Sequence, residues 1–204
     1  MFYQPSQGHG LPFNPFKAII APRPIGWVST IDAQGRPNLA PYSFFNAISG
    51  APEMLMFTSE GLKDSVRNAQ ATGEFVFNLV SEPLMQAMSD TAAALAPGDN
   101  EFEFAKLGAA PSRLVKPPRV ADTPAALECK VTLVTELKDM YDQPTERYMV
   151  MGQVVGVHIA DQYIVNGRFD MLKAQTMARC GYQDYAPVRE LVQVLRPGEK
   201  PLKG

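Results

Sequence analysis

Proline is the residue that most constrains how this chain folds. It supplies 18 of the 204 residues, nearly twice the usual share of about 5%. Its ring fixes the backbone angle φ and removes a hydrogen-bond donor, so it breaks long helices and is tolerated in turns, in loops and at sheet edges. The chain is therefore expected to consist mainly of β-strands and loops, with only short helices.

The hydrophobic pattern divides the chain into short strands and a few helices. Runs of β-branched and aromatic residues predict strands at Gly26–Ile31, Asn38–Phe45, Met54–Ser59, Glu74–Val80, Ala126–Leu137, Arg147–Ile159 and Tyr163–Val165. Helical spacing and helix-start signals predict helices at Lys63–Ala71 and Pro83–Leu95. Six or seven strands with two or three helices favour a barrel with helices at its margins.

One domain is expected over residues 1–195, because a chain of this length can bury about 70% of its surface around a single core. Residues 1–24, rich in proline, glycine and aromatic residues, are predicted to form an extended N-terminal arm. Five prolines between positions 97 and 124 predict a long surface loop there. Residues 196–204 are predicted to be a flexible tail.

Charge and composition argue against several functional classes. The net charge of −2 lacks the positive excess that nucleic-acid binding uses. No run of about 18 apolar residues exists, and the N-terminus lacks the features of a signal peptide, so neither a membrane span nor secretion is expected. Two cysteines, Cys129 and Cys180, suit the reducing cytoplasm. With only His9 and His158 and no cysteine pair at ligand spacing, no metal site is predicted.

The segment after the third predicted strand has the composition of an anion-binding site. Thr58 and Ser59 bring hydroxyl groups to a strand end, a glycine allows a turn, and Lys63 precedes a helix that begins at Asp64 or Ser65. Free N–H groups at a helix start beside a cation favour a bound anion. A phosphate monoester fits best, because no carboxylate cluster for Mg²⁺ accompanies the segment. The alternative is structural, with Asp64 or Ser65 capping the helix and Lys63 solvated.

Two further segments offer surfaces for a planar ring. Trp27 is the only tryptophan and stands near Ser29 and Thr30 in a predicted strand, where it either flanks a planar ligand or fills the core. In the run Ala40–Asn46, Pro41 interrupts a strand. The backbone groups it leaves free either bind the edge of a heterocycle or belong to a β-bulge packed with aromatic residues.

Alternation along the last long predicted strand places His158 on the opposite face from Val155, Val157 and Ile159. The three apolar side chains are expected to face the core. His158 then points into a pocket or toward a partner chain, or it is a hydrogen-bonded structural histidine. Near the C-terminus, Arg179 stands with two tyrosines beside a glycine, and this segment either lines a site or clasps the chain end.

In this order, the segments resemble the flavin reductase-like FMN-binding split-barrel family. The resemblance is carried by PRPIGWVSTIDAQGRPNLAPYSFFNAISGAPEMLMFTS, KDSVRNAQATGEFVFNLV, GQVVGVHI and ARCGYQDYAPV, and it covers about residues 10–188. It implies a mainly β fold, a Greek-key split barrel with a few peripheral helices. It also implies a homodimer, with FMN in a groove near the subunit interface.

The resemblance assigns roles to individual residues as well. The FMN phosphate would be held by Thr58, Ser59, Lys63 and Ser65, with Asp64 at the same helix start. The flavin ring would lie against Trp27, Ser29, Thr30, Tyr42, Ser43, Phe44 and Asn46. The catalytic candidates on the nicotinamide side would be His158, Arg179 and Tyr182.

The implied activity is hydride transfer from NAD(P)H to flavin, in which the protein positions the reactants and controls water. A partner monooxygenase or redox protein would use the reduced flavin. Members of the flavoredoxin type imply an alternative, an electron carrier whose FMN is reduced by a protein partner. A third alternative is a barrel dimer without cofactor, against which the intact segment 58–65 argues.

Overall fold

The computed structural model describes residues 1–96 and 99–200. Its strands are β1 (Arg23–Pro24), β2 (Gly26–Ile31), β3 (Pro37–Tyr42), β4 (Phe45–Gly50), β5 (Glu53–Glu60), β6 (Glu74–Asn78), β7 (Ala109–Ala110), β8 (Arg119–Val120), β9 (Ala125–Lys138), β10 (Pro144–Ile159), β11 (Ile164–Val165), β12 (Arg168–Phe169), β13 (Met177–Arg179) and β14 (Tyr185–Pro187). Its α-helices are α1 (Phe16–Ile19), α2 (Asp64–Thr72), α3 (Met85–Asp90) and α4 (Glu101–Phe104). Single 3₁₀ turns lie at Pro5–Gln7, Glu82–Leu84 and Asp161–Tyr163.

None of the described helices has the length and hydropathy needed to span a membrane. Two sequence predictions fall partly outside the described residues. They concern positions 97 and 98 of the predicted long loop and positions 201–204 of the predicted tail.

Seven strands form one antiparallel sheet in the order β3-β2-β6-β9-β10-β5-β4. Its edge strands, β3 and β4, follow each other in the chain and are separated only by Ser43 and Phe44. The Phe44 carbonyl accepts the N–H of Thr58 at 2.8 Å, which ties this connection to β5. Within the described sheet β3 and β4 do not pair, so the barrel is split between these two edge strands. The turn of Ser43 and Phe44 joins the two edges at one end of the barrel. The predicted fold class, a mainly β split barrel with a few peripheral helices, is confirmed.

Aromatic side chains fill the barrel interior in the positions that strand alternation dictates. Phe75 and Phe77 are both buried on β6. The Phe75 ring meets the ring of Phe57 edge to face at 5.5 Å, and Phe77 stacks on Phe45 at 4.8 Å. Burial of each such side chain stabilises the fold by about 1.5–3 kcal/mol.

Gly152 on β10 leaves the space that the Phe75 ring occupies. A Cβ added there would lie 2.4 Å from Phe75 Cε1 and 3.1 Å from the Lys130 carbonyl oxygen. We expect Gly152→Ala to lower the free energy of unfolding by about 1–3 kcal/mol, because overpacking displaces its neighbours. Urea unfolding measures the effect. Gly50→Ala is the matched control, since a Cβ at that strand glycine meets nothing within 4 Å; equal stabilities of the two variants would contradict this packing.

The two cysteines differ in how accessible their thiols are. Cys129 is fully buried in the barrel core, and burial, reinforced by the charge of Glu128, raises the pKa of its thiol to about 12. Cys180 is partly exposed in the turn after β13. We expect a thiol-specific reagent to modify Cys180 alone in the folded protein and both cysteines after unfolding, as located by mass spectrometry. Rapid modification of Cys129 in the folded chain would show that the core is open.

The part of the long loop that follows α4 lies on the outer face of the sheet, where buried carboxylates hold it. The Glu128 carboxylate accepts the N–H groups of residues 113–115 at 2.8, 2.6 and 3.0 Å. Glu74 accepts the N–H of the next residue, Lys116, at 2.8 Å. The loop therefore forms a fixed layer on the barrel, and only its first part reaches the cavity described below.

The helix predicted at Pro83–Leu95 is shorter in the structure. A 3₁₀ turn leads into α3, and the chain leaves the helix at Thr91. The Thr91 hydroxyl donates to the Met88 carbonyl at 2.7 Å and accepts the indole N–H of Trp27 at 2.9 Å. Because these bonds tie the end of α3 to a buried tryptophan, tertiary contacts decide where the helix ends.

One prediction for β10 is wrong. Val155, Val157 and Ile159 are 36, 61 and 38% exposed, so they do not face the core. His158 lies on the opposite face, and its Nε2 pairs with the buried Glu128 carboxylate. Alternation separates the two faces correctly, but a loop from elsewhere in the chain covers the polar face and leaves the apolar one to solvent.

Two boundaries near the N-terminus also differ from the prediction. The strand predicted at Asn38–Phe45 ends at Tyr42, and after a two-residue turn a further strand, β4, begins. The predicted arm contains the single-turn helix α1, and its strand β1 pairs with β13 near the other end of the chain.

Candidate functional site

A cavity of about 1140 Å³ opens beside the edge strand β3. Its walls are β3, the start of α2, and a third wall formed by residues 91–96 and 99–104. Charged and polar groups line the end at α2, whereas positions 92–96 of the third wall are four alanines and Leu95. Ligand sites typically measure about 300–1,000 Å³, so this cavity has room for a nucleotide.

The start of α2 forms the charged end of the cavity. Lys63 precedes the helix in an extended conformation, and its carbonyl accepts the N–H groups of Val66 and Arg67, both at 3.0 Å. Among the described residues, the N–H groups of Asp64 and Ser65 have no acceptor, and the Lys63 ammonium has no partner. Free N–H groups beside an unpaired cation at a helix start are the elements of an anion site.

The alternative in which Asp64 or Ser65 caps the helix differs from the observed geometry. The Asp64 carboxylate pairs with the Arg67 guanidinium one turn further on. The Ser65 hydroxyl accepts the side-chain amide of Asn38 at 2.9 Å. Neither side chain accepts a hydrogen bond from the N–H groups of Asp64 and Ser65, so these groups are available to a ligand.

A buried polar cluster lies beneath the 61–65 loop and fixes its shape. The Tyr42 hydroxyl is hydrogen-bonded to Ser65 and Ser59, and burial raises the pKa of Tyr42. The Ser59 hydroxyl also donates to the Gly61 carbonyl at 2.9 Å. Since Ser59 and Ser65 are each only 1% exposed, their hydroxyls position the loop, while its N–H groups and Lys63 face the cavity.

Strand β3 presents an edge with almost no hydrogen-bond donors. Its outward-facing residues are Pro37, Leu39 and Pro41, and the two prolines have no N–H. The Leu39 N–H donates to Glu101 Oε2 at 3.1 Å. Burial, together with the charge of Asp64, raises the pKa of Glu101. This edge of the cavity therefore offers acceptor oxygens.

The side chains of Trp27, Ser29 and Thr30 hold the barrel together. All three are fully buried, and Trp27 packs in the apolar cluster beneath α3 and α4. The Ser29 hydroxyl donates to the Pro118 carbonyl, and the Thr30 hydroxyl accepts the Asn68 amide at 3.1 Å. Their strand is also paired on both edges. The resemblance implies that these three residues contact the flavin ring. In this structure they expose no surface to a ring, because the layer outside the barrel covers them.

The other residues implied for ring contact gather where β3 turns into β4. Ser43 and Phe44 are half-buried in this turn, and Asn46 is exposed just after it. Thr58 is held against the turn by its bond to the Phe44 carbonyl. Tyr42, at the end of β3, lines the cavity, so this group adjoins the 61–65 loop.

The turn after β13 docks against the N-terminal arm. The buried Arg23 guanidinium donates to the carbonyls of Lys17 and Cys180, the latter at 2.9 Å. Gly181 packs so tightly on the arm that an added Cβ would lie 2.4 Å from the Ala18 Cβ. These contacts fix the arm beside the turn.

Two predicted catalytic residues, Arg179 and Tyr182, are held within this turn. The Arg179 guanidinium donates to the Tyr182 carbonyl at 2.7 Å and lies 4.3 Å from the centre of the Tyr185 ring. From the arm, the Lys17 ammonium lies 5.4 Å from the centre of the Phe44 ring. The arm therefore connects the Arg179 turn to the β3–β4 turn.

The third predicted catalytic residue, His158, lies elsewhere in the chain's fold. Tyr148 pairs with Ser59 across β10 and β5, and His158 follows ten residues later on the same strand. At the usual rise of a strand, that distance is about 30 Å. Within one chain, the structure thus brings the 58–65 segment together with the β3–β4 turn, and it leaves His158 at the far end of β10.

The flavin reductase like domain model matches residues 20–172 of this chain. The chain belongs to the flavin reductase like family. One curated relative, an uncharacterized protein from Aquifex aeolicus, is 37% identical over 148 residues, which are 70% of this chain and 72% of the relative.

Solved structures agree with this membership. Component B of nitrilotriacetate monooxygenase from Bacillus cereus is 28% identical, with a TM-score of 0.82 over 92% of this chain and 100% of that one. A 2-nitrobenzoate 2-nitroreductase from Pseudomonas fluorescens is 27% identical, with a TM-score of 0.79 over 93% and 92% of the two chains. A split barrel domain structure from Shewanella frigidimarina, 19% identical with a TM-score of 0.80 over 89% of each chain, shows the shared fold.

Two residues of this flavin reductase-like chain that sequence reasoning overlooked adjoin the site. Lys17 reaches it through the docked arm, and Glu101 reaches it through α4. Pro41 within the predicted strand, with Pro37 just before it, does signal a sheet edge. Nothing local in the sequence, however, joins Leu39 to Glu101, which is 62 residues away.

Proposed function

We propose that this protein binds FMN with its phosphate at the start of α2 and acts as an NAD(P)H:flavin oxidoreductase. The observation that carries the proposal lies at one end of a cavity large enough for a nucleotide, where the Lys63 ammonium and the N–H groups of Asp64 and Ser65 have no partner among residues 1–96 and 99–200. A phosphate monoester matches that end in charge and in hydrogen bonding.

The residues present fit FMN in an extended arrangement. Lys63 and the N–H groups of Asp64 and Ser65 would bind the phosphate, while Thr58 and Ser59 keep the loop in shape. The ring would lie at the β3–β4 turn, beside Tyr42, Ser43, Phe44 and Asn46. When bound, FMN supplies the chemistry of accepting a hydride.

The protein's own part in the reaction is to bind, orient and exclude water. Lys63 offsets the phosphate charge, and the docked arm covers one side of the β3–β4 turn. The turn that carries Arg179 and Tyr182 is placed to orient the nicotinamide. Holding two reactants in the correct geometry supplies much of the acceleration in such a reaction, so no side chain needs to act as a strong acid or base.

The relatives support different destinations for the electrons. Similarity to a monooxygenase component B supports delivery of reduced flavin to a partner monooxygenase. Similarity to a nitroreductase supports direct reduction of a small molecule, and an electron carrier of the flavoredoxin type is the remaining alternative.

We also propose a cytoplasmic homodimer, for which the exposed apolar face formed by Val155, Val157 and Ile159 offers a contact surface.

Anaerobic reduction tests the proposed activity. NADH and then NADPH are added to the protein with FMN, and the flavin absorption band is followed. We expect the band to disappear at least about 100-fold faster than with free FMN, because the protein holds both reactants in contact. A rate equal to that of free FMN would contradict the proposal. Bound flavin that dithionite bleaches but neither nucleotide reduces would instead support the carrier.

A further inference from the structure

We propose that Glu101 is a specificity-determining residue of the cavity. Together with the outer edge of β3, it recognises the hydroxyl groups of a phosphorylated polyol and selects such a ligand over phosphate alone. The inference rests on the proposed function, because the ribityl chain of FMN is a polyol attached directly to the phosphate.

The first step concerns the edge of β3, which offers a ligand only acceptors. Pro37 and Pro41 bring no N–H, and the N–H of Leu39 is already bound by Glu101 at 3.1 Å. Of these three residues, Pro37 and Pro41 line the cavity, whereas Leu39 is fully buried. The carbonyl oxygens of the two prolines have no donor in the part of the chain that the structure describes. A ligand that lies along this edge therefore gains hydrogen bonds only through its own donor groups.

The second step concerns Glu101 itself. Its carboxylate accepts the N–H of Leu39 and its own backbone N–H, and no cation pairs with it in residues 1–96 and 99–200. The side chain is half-buried and lines the cavity. A partly desolvated carboxylate without a cation is stabilised by hydrogen-bond donors. Hydroxyl groups are the donors that a polyol chain brings.

The third step places this acceptor surface next to the anion end. The charge of Asp64 acts on Glu101, and the charges of both act on the half-buried Tyr42, which lines the cavity with them. The cavity thus changes from donors at Lys63 and the start of α2 to acceptors at Glu101. A phosphate with hydroxyl groups on the adjoining carbons matches this sequence of donors and acceptors.

The negative charge of Glu101 also discriminates against smaller anions. Inorganic phosphate at the start of α2 meets the repulsion of the nearby carboxylate and brings no polyol to satisfy it. A phosphorylated polyol meets the same repulsion, but its hydroxyl groups donate hydrogen bonds to Glu101 and the β3 edge that offset the unfavourable energy. Rejection of competitors by an unfavourable charge is a general route to specificity.

Glu101→Gln tests the inference. Glutamine keeps the size of the side chain and retains an amide oxygen for the Leu39 N–H, but it replaces the second acceptor and the charge. Calorimetric titration gives the affinity for FMN, and competition gives the affinity for inorganic phosphate. We expect the ratio of the FMN affinity to the phosphate affinity to fall at least about 10-fold, because FMN loses a charge-assisted hydrogen bond while phosphate loses a repulsion.

Two further variants make the test specific. Glu103→Gln removes the same charge from an exposed neighbour that lines the same cavity and accepts a hydrogen bond from Asn100 rather than from β3, and it should keep the wild-type ratio. Glu101→Asp keeps the charge but shortens the side chain, so it should lower FMN affinity with little change for phosphate.

The outcomes separate this inference from the proposed function. If the wild-type protein binds FMN but Glu101→Gln keeps the wild-type ratio, or Glu103→Gln lowers the ratio equally, the role of Glu101 is overturned and FMN binding stands. If the wild-type protein binds neither FMN nor phosphate, the proposed function fails and the inference fails with it.

Discussion

Replacement of Lys63 by glutamate is expected to raise the FMN dissociation constant at least about 100-fold. A hydrogen bond to a charged group contributes about 1.5–3 kcal/mol, and the variant also places a new anion beside the phosphate. The chain should still fold, because a carboxylate at the start of α2 interacts favourably with the helix dipole. Fluorescence titration of the purified variant with FMN measures the effect.

Riboflavin and two other variants control this experiment. Riboflavin lacks the phosphate, so its affinity should be nearly the same for the wild-type protein and Lys63→Glu. Lys63→Arg keeps the charge and should retain FMN. Lys173→Glu makes the same charge change at an exposed lysine that does not line the cavity. FMN affinity that survives Lys63→Glu unchanged would show that the phosphate binds elsewhere.

Replacement of Glu128 by glutamine is expected to lower the free energy of unfolding by about 3 kcal/mol. The fully buried carboxylate accepts the N–H groups of residues 113–115 and pairs with His158. Glutamine would turn an amide donor toward these donors and leave buried groups unsatisfied. For a chain of this size the melting temperature should fall by about 6–12 °C, as scanning calorimetry would measure.

The matched control for this variant is Glu136→Gln on the same strand. The Glu136 carboxylate accepts one N–H, that of Glu146 at 2.8 Å, and this bond is exposed near the hairpin tip. We expect its loss to cost less than about 1 kcal/mol. Equal effects of the two substitutions would show that the 113–115 loop is not held by Glu128.

The pH dependence of stability gives a second measure of Glu128. Burial acts to raise the pKa of its carboxyl, but the hydrogen bonds from His158 and the loop N–H groups outweigh burial, and the pKa lies below its usual range. A carboxyl whose pKa is lowered by folding stabilises the fold above its unfolded pKa of about 4.3. That stability is lost as the pH falls toward the folded pKa. The wild-type protein should therefore lose more stability than Glu128→Gln below about pH 4.3.

Local sequence patterns predict part of the fold and the position of the 61–65 loop. The hairpin of β2 and β3, strand β5 and helix α2 follow from alternating apolar residues, turn residues and helix-start signals within a few positions of each other. The 61–65 loop is predictable for the same reason, because its lysine and its helix start are adjacent in the chain.

Burial by distant segments accounts for what the sequence patterns missed. Trp27 and Ser29 have the composition of a ligand surface, but α3 and the loop near Pro118 cover them. Alternation predicts that the apolar side chains beside His158 face the core. They do not, because a loop from a separate part of the chain, held by Glu128, covers the other face of the strand. No spacing rule places Glu101 against the outward-pointing N–H of Leu39.

A crystal structure of the protein with FMN tests the central claim most directly. The account predicts phosphate oxygens about 2.7–3.2 Å from the backbone nitrogens of Asp64 and Ser65. It also predicts the Lys63 ammonium in contact with the phosphate and the flavin ring beside Phe44. A phosphate bound away from the start of α2, for example beside Lys17 and Arg179, would contradict the account even if the protein reduces flavin.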